Sequence, residues 1–169
     1  VLRGIDPESA PRVLSMLREI RRGSVAGLKR EGTPGIVIGE ELAKRLGIGL
    51  GSRVNLLSPS GEKGATGYSP RIRPFEVVGI FKTGMFEYDA TLAFVDLKAA
   101  RDILGLPDGF LTGIEIMVDD VYKADAIARS VQDTLGSPFY VRHWMEMNAN
   151  LFAALKLEKI GMFILLTMV

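Results

Sequence analysis

The chain has 169 residues, 47% of them hydrophobic, and 21 Lys and Arg against 20 Asp and Glu for a net charge of +1. That is enough apolar content for a core in one domain or two small ones, and too balanced a charge for a dedicated nucleic-acid binder. Cysteine is absent and His143 is the single histidine, which excludes disulfide scaffolds, Cys-ligated zinc and thiol catalysis and disfavours a His-based metal site.

The opening VLRGID reads as a short strand. Asp6-Pro7-Glu8 then signals a helix start, and Val13, Leu14, Leu17 and Ile20 follow at helical spacing, predicting a helix that fades near Gly23. Residues 23–35 have loop composition. Ile36-Val37-Ile38 reads as a buried strand, Glu40 to Leu46 as a short helix stopped by Gly47, and Arg53 to Leu57 as a strand. Residues 58–74 (SPSGEKGATGYSPRIRP) read as a long polar loop, and loops of that length in compact domains are often functional.

Phe75 to Phe81 predicts a strand with a bulge at Gly79, followed by a connecting loop over 82–90. Thr91 to Val95 predicts another strand. Asp96 caps a helix carrying Leu97, Ala100, Ile103 and Leu104, and Gly105 ends it. Gly113 to Val118 predicts a strand, and Asp119 or Asp120 caps a helix running to Leu135. Phe139 to His143 predicts a strand, and from Trp144 the pattern is helical to the end. The last ten residues carry no charge. They make half of the roughly 20 apolar residues a bilayer span needs, so the chain is expected to be a piece of a larger membrane protein, entering a membrane helix at its end. A buried terminal helix is the alternative. The element order implies an α+β fold of two lobes, one from residues 1–33 and 111–144 and one inserted from 34–110, with 145–169 as a following helix.

Little of the sequence carries chemistry. Gly47, Gly49 and Gly51 form G-x-G-x-G, but a helix precedes them and a strand follows, the reverse of a dinucleotide site. Glu40-Glu41 and Asp119-Asp120 sit where acidic residues favour a helix dipole. No serine has a nucleophile-elbow context. No catalytic residue, metal or cofactor is therefore assigned. The strongest local candidate for binding is the tip of the 58–74 loop, where Tyr68, Ser69, Pro70, Arg71, Ile72 and Arg73 combine stiff backbone with aromatic and guanidinium groups, residue types favoured at protein interfaces. Met85, Phe86 and Tyr88, in the 82–90 loop, are candidates for an exposed apolar surface.

Three segments, PGIVIGEELAKRLGIGLGSRVNLLSP (34–59), FEVVGIFKTGMFEYDATLAFVDLKAARDILG (75–105) and NANLFAALKLEKIGMFILL (148–166), resemble the LolC/LolE family of lipoprotein-releasing ABC transporter permeases, and RGIDP (3–7) also fits. The resemblance implies a MacB-like periplasmic domain with a Porter-like βαβ lobe and an inserted, mainly-β Sabre-like lobe, followed by the start of a transmembrane helix. It implies a bacterial inner-membrane permease with a non-catalytic role, acting with a cytoplasmic ATPase subunit and a second permease subunit. Acylated lipoproteins would pass to a soluble periplasmic carrier, and the 58–74 loop occupies the place of the carrier-docking Hook. Acyl chains would meet apolar residues, for which Met85, Phe86, Tyr88, Leu151, Phe152 and Leu155 are the candidates. Two other readings stay open: the domain of a related MacB- or FtsX-like permease for export or cell division, and a small-ligand-binding module.

Overall fold

The computed structural model describes residues 1–18, 20–64 and 67–168, with the side chains of residues 60–64, 67 and 68 outside that set. Two compact units result, Val1–Glu115 and Ile116–Val169.

The first unit is built on a six-stranded mixed sheet. Its strands are β1 (Leu2–Ile5), β2 (Ile20–Gly23), β3 (Gly35–Gly39), β4 (Arg53–Gly64), β5 (Gly67–Phe81) and β6 (Ala93–Asp96). The order is β1-β6-β3-β5-β2, with β4 paired to β5. β1 runs parallel to β6 and β3 parallel to β5, while the β3–β6, β2–β5 and β4–β5 pairs are antiparallel. All five residues of β3 are buried, as expected for a central strand covered on both faces.

Strand alternation sorts the core into two layers. Ile36, Ile38, Phe75, Val77, Ile80 and Val95 pack with Ala43 of helix α2 (Glu40–Leu46) and with Ala99, Ala100 and Ile103 of helix α4 (Leu97–Leu104). Val37, Phe81 and Phe94 face the other way, onto Leu17, Val25 and Leu28. On β5 the inward positions shift from 75 and 77 to 80, because Ile36 pairs with Val77 but Val37 pairs with Gly79. Val78 is thus the extra residue of a bulge, which changes the face of everything after it.

Local signals set the helices. α2 has Glu40 and Glu41 in its first turn, Lys44 and Arg45 in its last, and Gly47 at φ +66° as its stop. In α4 the Asp96 carboxylate accepts from the Lys98 N–H at 3.0 Å and Gly105 closes the helix at φ +69°.

The structure corrects several expectations. The first helix is one turn, α1 (Ala10–Val13), followed by a 3-10 turn at Ser15–Leu17. Ile20–Gly23 then becomes β2, because the edge of β5 offers it a partner. The 82–90 loop contains helix α3 (Phe86–Thr91). Of the expected 58–74 loop, residues 58–64 and 67–74 are strand, and residues 65 and 66 lie outside the described set. The division expected at residue 33 falls within one sheet, since β1 and β2 pair with β6 and β5.

In the second unit, α5 (Ala124–Leu135) begins after a 3-10 turn capped by Asp120, whose carboxylate accepts from the Tyr122 N–H at 3.0 Å. The strands expected at 113–118, which spans the boundary between the units, and at 139–143 do not form. Instead Gln132 ties the latter segment down, donating to the Phe139 carbonyl at 2.9 Å and accepting from the Val141 N–H at 2.8 Å. These side-chain bonds take the backbone groups a ladder would use. The final helix is interrupted at Asn148, giving α6 (Trp144–Met147) and α7 (Ala149–Met168). Among the described residues no helix is long and apolar enough to cross a membrane.

Candidate functional site

β4 and β5 form a ribbon that leaves the sheet. Only residues 76–81 of β5 pair with β3 or β2; from Phe75 outward β5 pairs with β4 alone. The register runs from Arg53 opposite Glu76 to Ser58 opposite Arg71, then shifts and resumes with Glu62 opposite Ser69. Pro59 and Pro70 lie within that interruption. Neither can donate a ladder hydrogen bond, so the irregularity collects where the sequence has already removed two donors.

This register redistributes the predicted loop-tip residues. Alternation along β5 puts Arg71 and Arg73 on one face and Ile72 on the other. Arg71 Nη1 donates to the Asp102 carbonyl at 3.1 Å, and Arg73 Nη1 pairs with the Asp102 carboxylate at 3.0 Å. Both guanidiniums therefore anchor the ribbon's base at the C-terminal end of α4, where cations are favoured. Arg71 lies across Gly105, so close that a β-carbon there would sit 3.2 Å from Nη1. With Arg101, Leu106 and Pro107 they border an open depression of about 470 Å³. Ile72 is instead 59% exposed and stands opposite Leu57, which is 64% exposed. Leu57 is a residue that sequence reasoning missed; pairing 53–57 with 72–76 across one hairpin would have exposed it. Ser69 and Pro70 are exposed, and Tyr68 pairs with Lys63 in the register with its side chain outside the described set.

The second group, Met85, Phe86 and Tyr88, is exposed at 53%, 64% and 45%. A network beneath it fixes its shape. The buried Asp89 carboxylate accepts from the Thr83 N–H and the Thr83 hydroxyl, both at 2.8 Å, and from the Gly84 N–H at 3.2 Å. The Thr83 hydroxyl oxygen also accepts from the Met85 N–H at 3.1 Å. Gly84, at φ +82°, supplies the left-handed turn. Behind it Gly39 abuts the Asp89 backbone, where a β-carbon would fall 2.2 Å from the carbonyl oxygen. The 82–86 turn is thereby held from inside while its apolar side chains face out.

Leu151, Phe152 and Leu155 belong to the second unit, on α7, and are partly or largely exposed. Phe152 packs edge-on against Trp144 at 5.3 Å between ring centroids, and the Trp144 indole N–H donates to the Val121 carbonyl at 2.8 Å. Among the described residues no group of three or more His, Cys, Asp or Glu is placed to hold a metal ion.

A mixed sheet domain that extends a two-stranded ribbon and presents a braced apolar knuckle has surfaces shaped for contact with other macromolecules. Comparison with known proteins places that class. The chain belongs to the family of MacB-like periplasmic core domains, which matches residues 1–134. It is similar to the lipoprotein-releasing system transmembrane protein LolC of Xylella fastidiosa strain 9a5c, 34% identical over 169 residues, covering 100% of this chain and 40% of that protein. LolC of Neisseria meningitidis serogroup B is 33% identical over 172 residues, covering 99% and 40%. LolE of Haemophilus influenzae is 22% identical over 169 residues, covering 99% and 40%. The chain thus spans about two fifths of the length of these relatives.

Proposed function

We propose that this chain is the periplasmic domain of an ABC-transporter permease that releases acylated lipoproteins from the inner membrane and hands them to a soluble periplasmic carrier. Similarity to LolC along the full chain carries this reading. ATP hydrolysis belongs to a separate cytoplasmic subunit, a second permease subunit completes the transporter, and this domain works by binding alone. The two-lobed organisation is part of the same proposal. In it a Porter-like lobe carries an inserted Sabre-like lobe, and α7 leads toward the membrane.

Within this reading the ribbon is the carrier-docking element. Its exposed Leu57–Ile72 pair offers apolar area, and Ser69 and Pro70 lie farther out. Met85, Phe86 and Tyr88, with Leu151, Phe152 and Leu155, are the proposed contacts for acylated lipoprotein. Binding of the full chain to purified carrier tests the docking role. Replacing Leu57 and Ile72 together by Asp should weaken capture at least tenfold while leaving the folded core intact. Unchanged capture by the double variant would remove the ribbon from the docking surface.

A further inference from the structure

A second cavity lies at the opposite edge of the sheet, on β2. Ile20 pairs with Phe81 and Arg22 with Ile80, leaving Arg21 without a counterpart. A bulge of this kind brings two consecutive side chains to one side of a strand that would otherwise separate them. Both Arg21 and Arg22 consequently line a cavity of about 160 Å³, together with Glu40, Ala43, Lys44, Gly47, Ile48 and Ile80. At roughly 30 Å³ per water molecule that is room for about five waters. Ala43 and Ile80 are buried and Ile48 packs beside them, so the floor is apolar.

The charges are unevenly matched. Glu40 is held by Lys82 at 2.8 Å and Lys44 at 3.5 Å, and Lys44 also pairs with Glu41 at 2.7 Å. These lysines keep the Glu40 carboxyl below its ordinary pKa, Lys82 most of all, so it stays ionised with two cations beside it. Arg21 and Arg22 make no ion pair or side-chain hydrogen bond among the described residues. Charges on an edge strand also guard it against pairing with another sheet, but that role needs only solvent exposure. It does not need a bulge that brings both residues to the lining of one apolar-floored cavity.

We propose that this notch binds an anionic phosphate head group carried on a short apolar stem. The two guanidinium forks supply paired donors for phosphate oxygens, and Ala43, Ile48 and Ile80 receive the adjoining carbons. The proposal does not depend on the carrier-docking reading.

Titrating the nitrogen-labelled full chain with short-chain phosphatidylglycerol, phosphatidylcholine of the same chain length and inorganic phosphate tests it, followed at the amides of Arg22, Lys44, Gly47 and Ile48. Saturable shifts with phosphatidylglycerol, and at least tenfold weaker ones with phosphatidylcholine, are expected. The Arg21→Gln/Arg22→Gln variant should lose at least tenfold in affinity. Arg45→Gln/Arg53→Gln, which removes the same charge away from the cavity, should bind as the parent does. Inorganic phosphate matching phosphatidylglycerol would show that the apolar floor adds nothing and that the ligand is the free anion, which would overturn the head-group proposal. Equal shifts with both lipids, equal losses in both double variants, or full affinity in Arg21→Gln/Arg22→Gln would overturn the proposal.

Discussion

Replacing Asp89 tests whether the apolar knuckle is held from beneath. The carboxylate accepts three hydrogen bonds, two from Thr83 on one oxygen and one from Gly84 on the other. In Asp89→Ala the Thr83 N–H, half-buried, loses its acceptor at a cost of about 1–3 kcal/mol, and its hydroxyl loses a bond worth about 1 kcal/mol. Gly84 is exposed, so its N–H recovers a partner in water and adds little. The expected total is about 2–4 kcal/mol. Asp89→Asn keeps an oxygen for Thr83 and turns an amide N–H₂ toward the Gly84 donor, so it should cost only about 1 kcal/mol. At roughly 3 °C per kcal/mol for a chain of this size, the thermal midpoints should fall by about 6–12 °C and about 3 °C. Hydrogen exchange at the Thr83, Gly84 and Met85 amides should accelerate in the same order. Equal losses for Ala and Asn, or a loss below about 1 kcal/mol for Ala, would refute the clamp.

Two other perturbations follow from the same geometry. Gly39→Ala forces a β-carbon to 2.2 Å from the Asp89 carbonyl oxygen, backbone against backbone, and should cost about 2–3 kcal/mol; Gly47→Ala meets no atom within 4 Å and should cost only the left-handed φ, about 1–2 kcal/mol. Urea unfolding of both variants ranks them, and a larger loss at Gly47 would contradict the close contact. The Asp6 carboxyl is held down to about 2, first by the Ser9 hydroxyl and then by Lys29. A carboxylate depressed in the folded state contributes stability above its unfolded value of about 3.9 and loses it as pH falls toward about 2. The gap in melting temperature between the parent and Asp6→Asn should therefore be constant above about pH 5, narrow as pH falls below about 4, and close only below about pH 2; a gap independent of pH would refute the assignment.

Elements with local start and stop signals were legible in the sequence. Asp96 and Gly105 bracket α4, and Glu40 and Gly47 bracket α2, because capping is decided within a few residues. Elements fixed by distant partners were not. Ile20 reads as part of a helical stripe, yet its segment pairs with β5 some 60 residues on. Helix α3 lies in a stretch that reads as a connector, since what braces it is Gly39 behind and Asp89 within. Of the candidate site residues, Met85 could have been core or surface on sequence grounds, since most methionines are buried, and its 53% exposure is settled by the turn that Asp89 holds. The roles of Arg71 and Arg73 were not, because they depend on Asp102, about 30 residues away. The Arg21–Arg22 notch rests on a single-residue bulge, which composition does not mark.

Under the proposed docking role, the change from loop to ribbon alters which residues would supply the binding energy. As tips of a polar loop, Arg71 and Arg73 would be the natural recognition groups. As anchors at the end of α4 they are already engaged, and an exposed pair such as Arg73–Asp102 is worth about 0–1 kcal/mol. Leu57 and Ile72 are unspent: fully burying each against a partner yields about 1.5–3 kcal/mol, about 3–6 kcal/mol for the pair before association costs. Carrier binding should accordingly suffer more from Ile72→Asp than from Arg71→Glu/Arg73→Glu. The arginine variant should instead loosen the ribbon's base, seen as faster amide exchange at Arg71 and Ile72. If the arginine variant loses more affinity for the carrier while exchange at the base is unchanged, the guanidiniums contact the partner directly and the apolar face is not the docking surface.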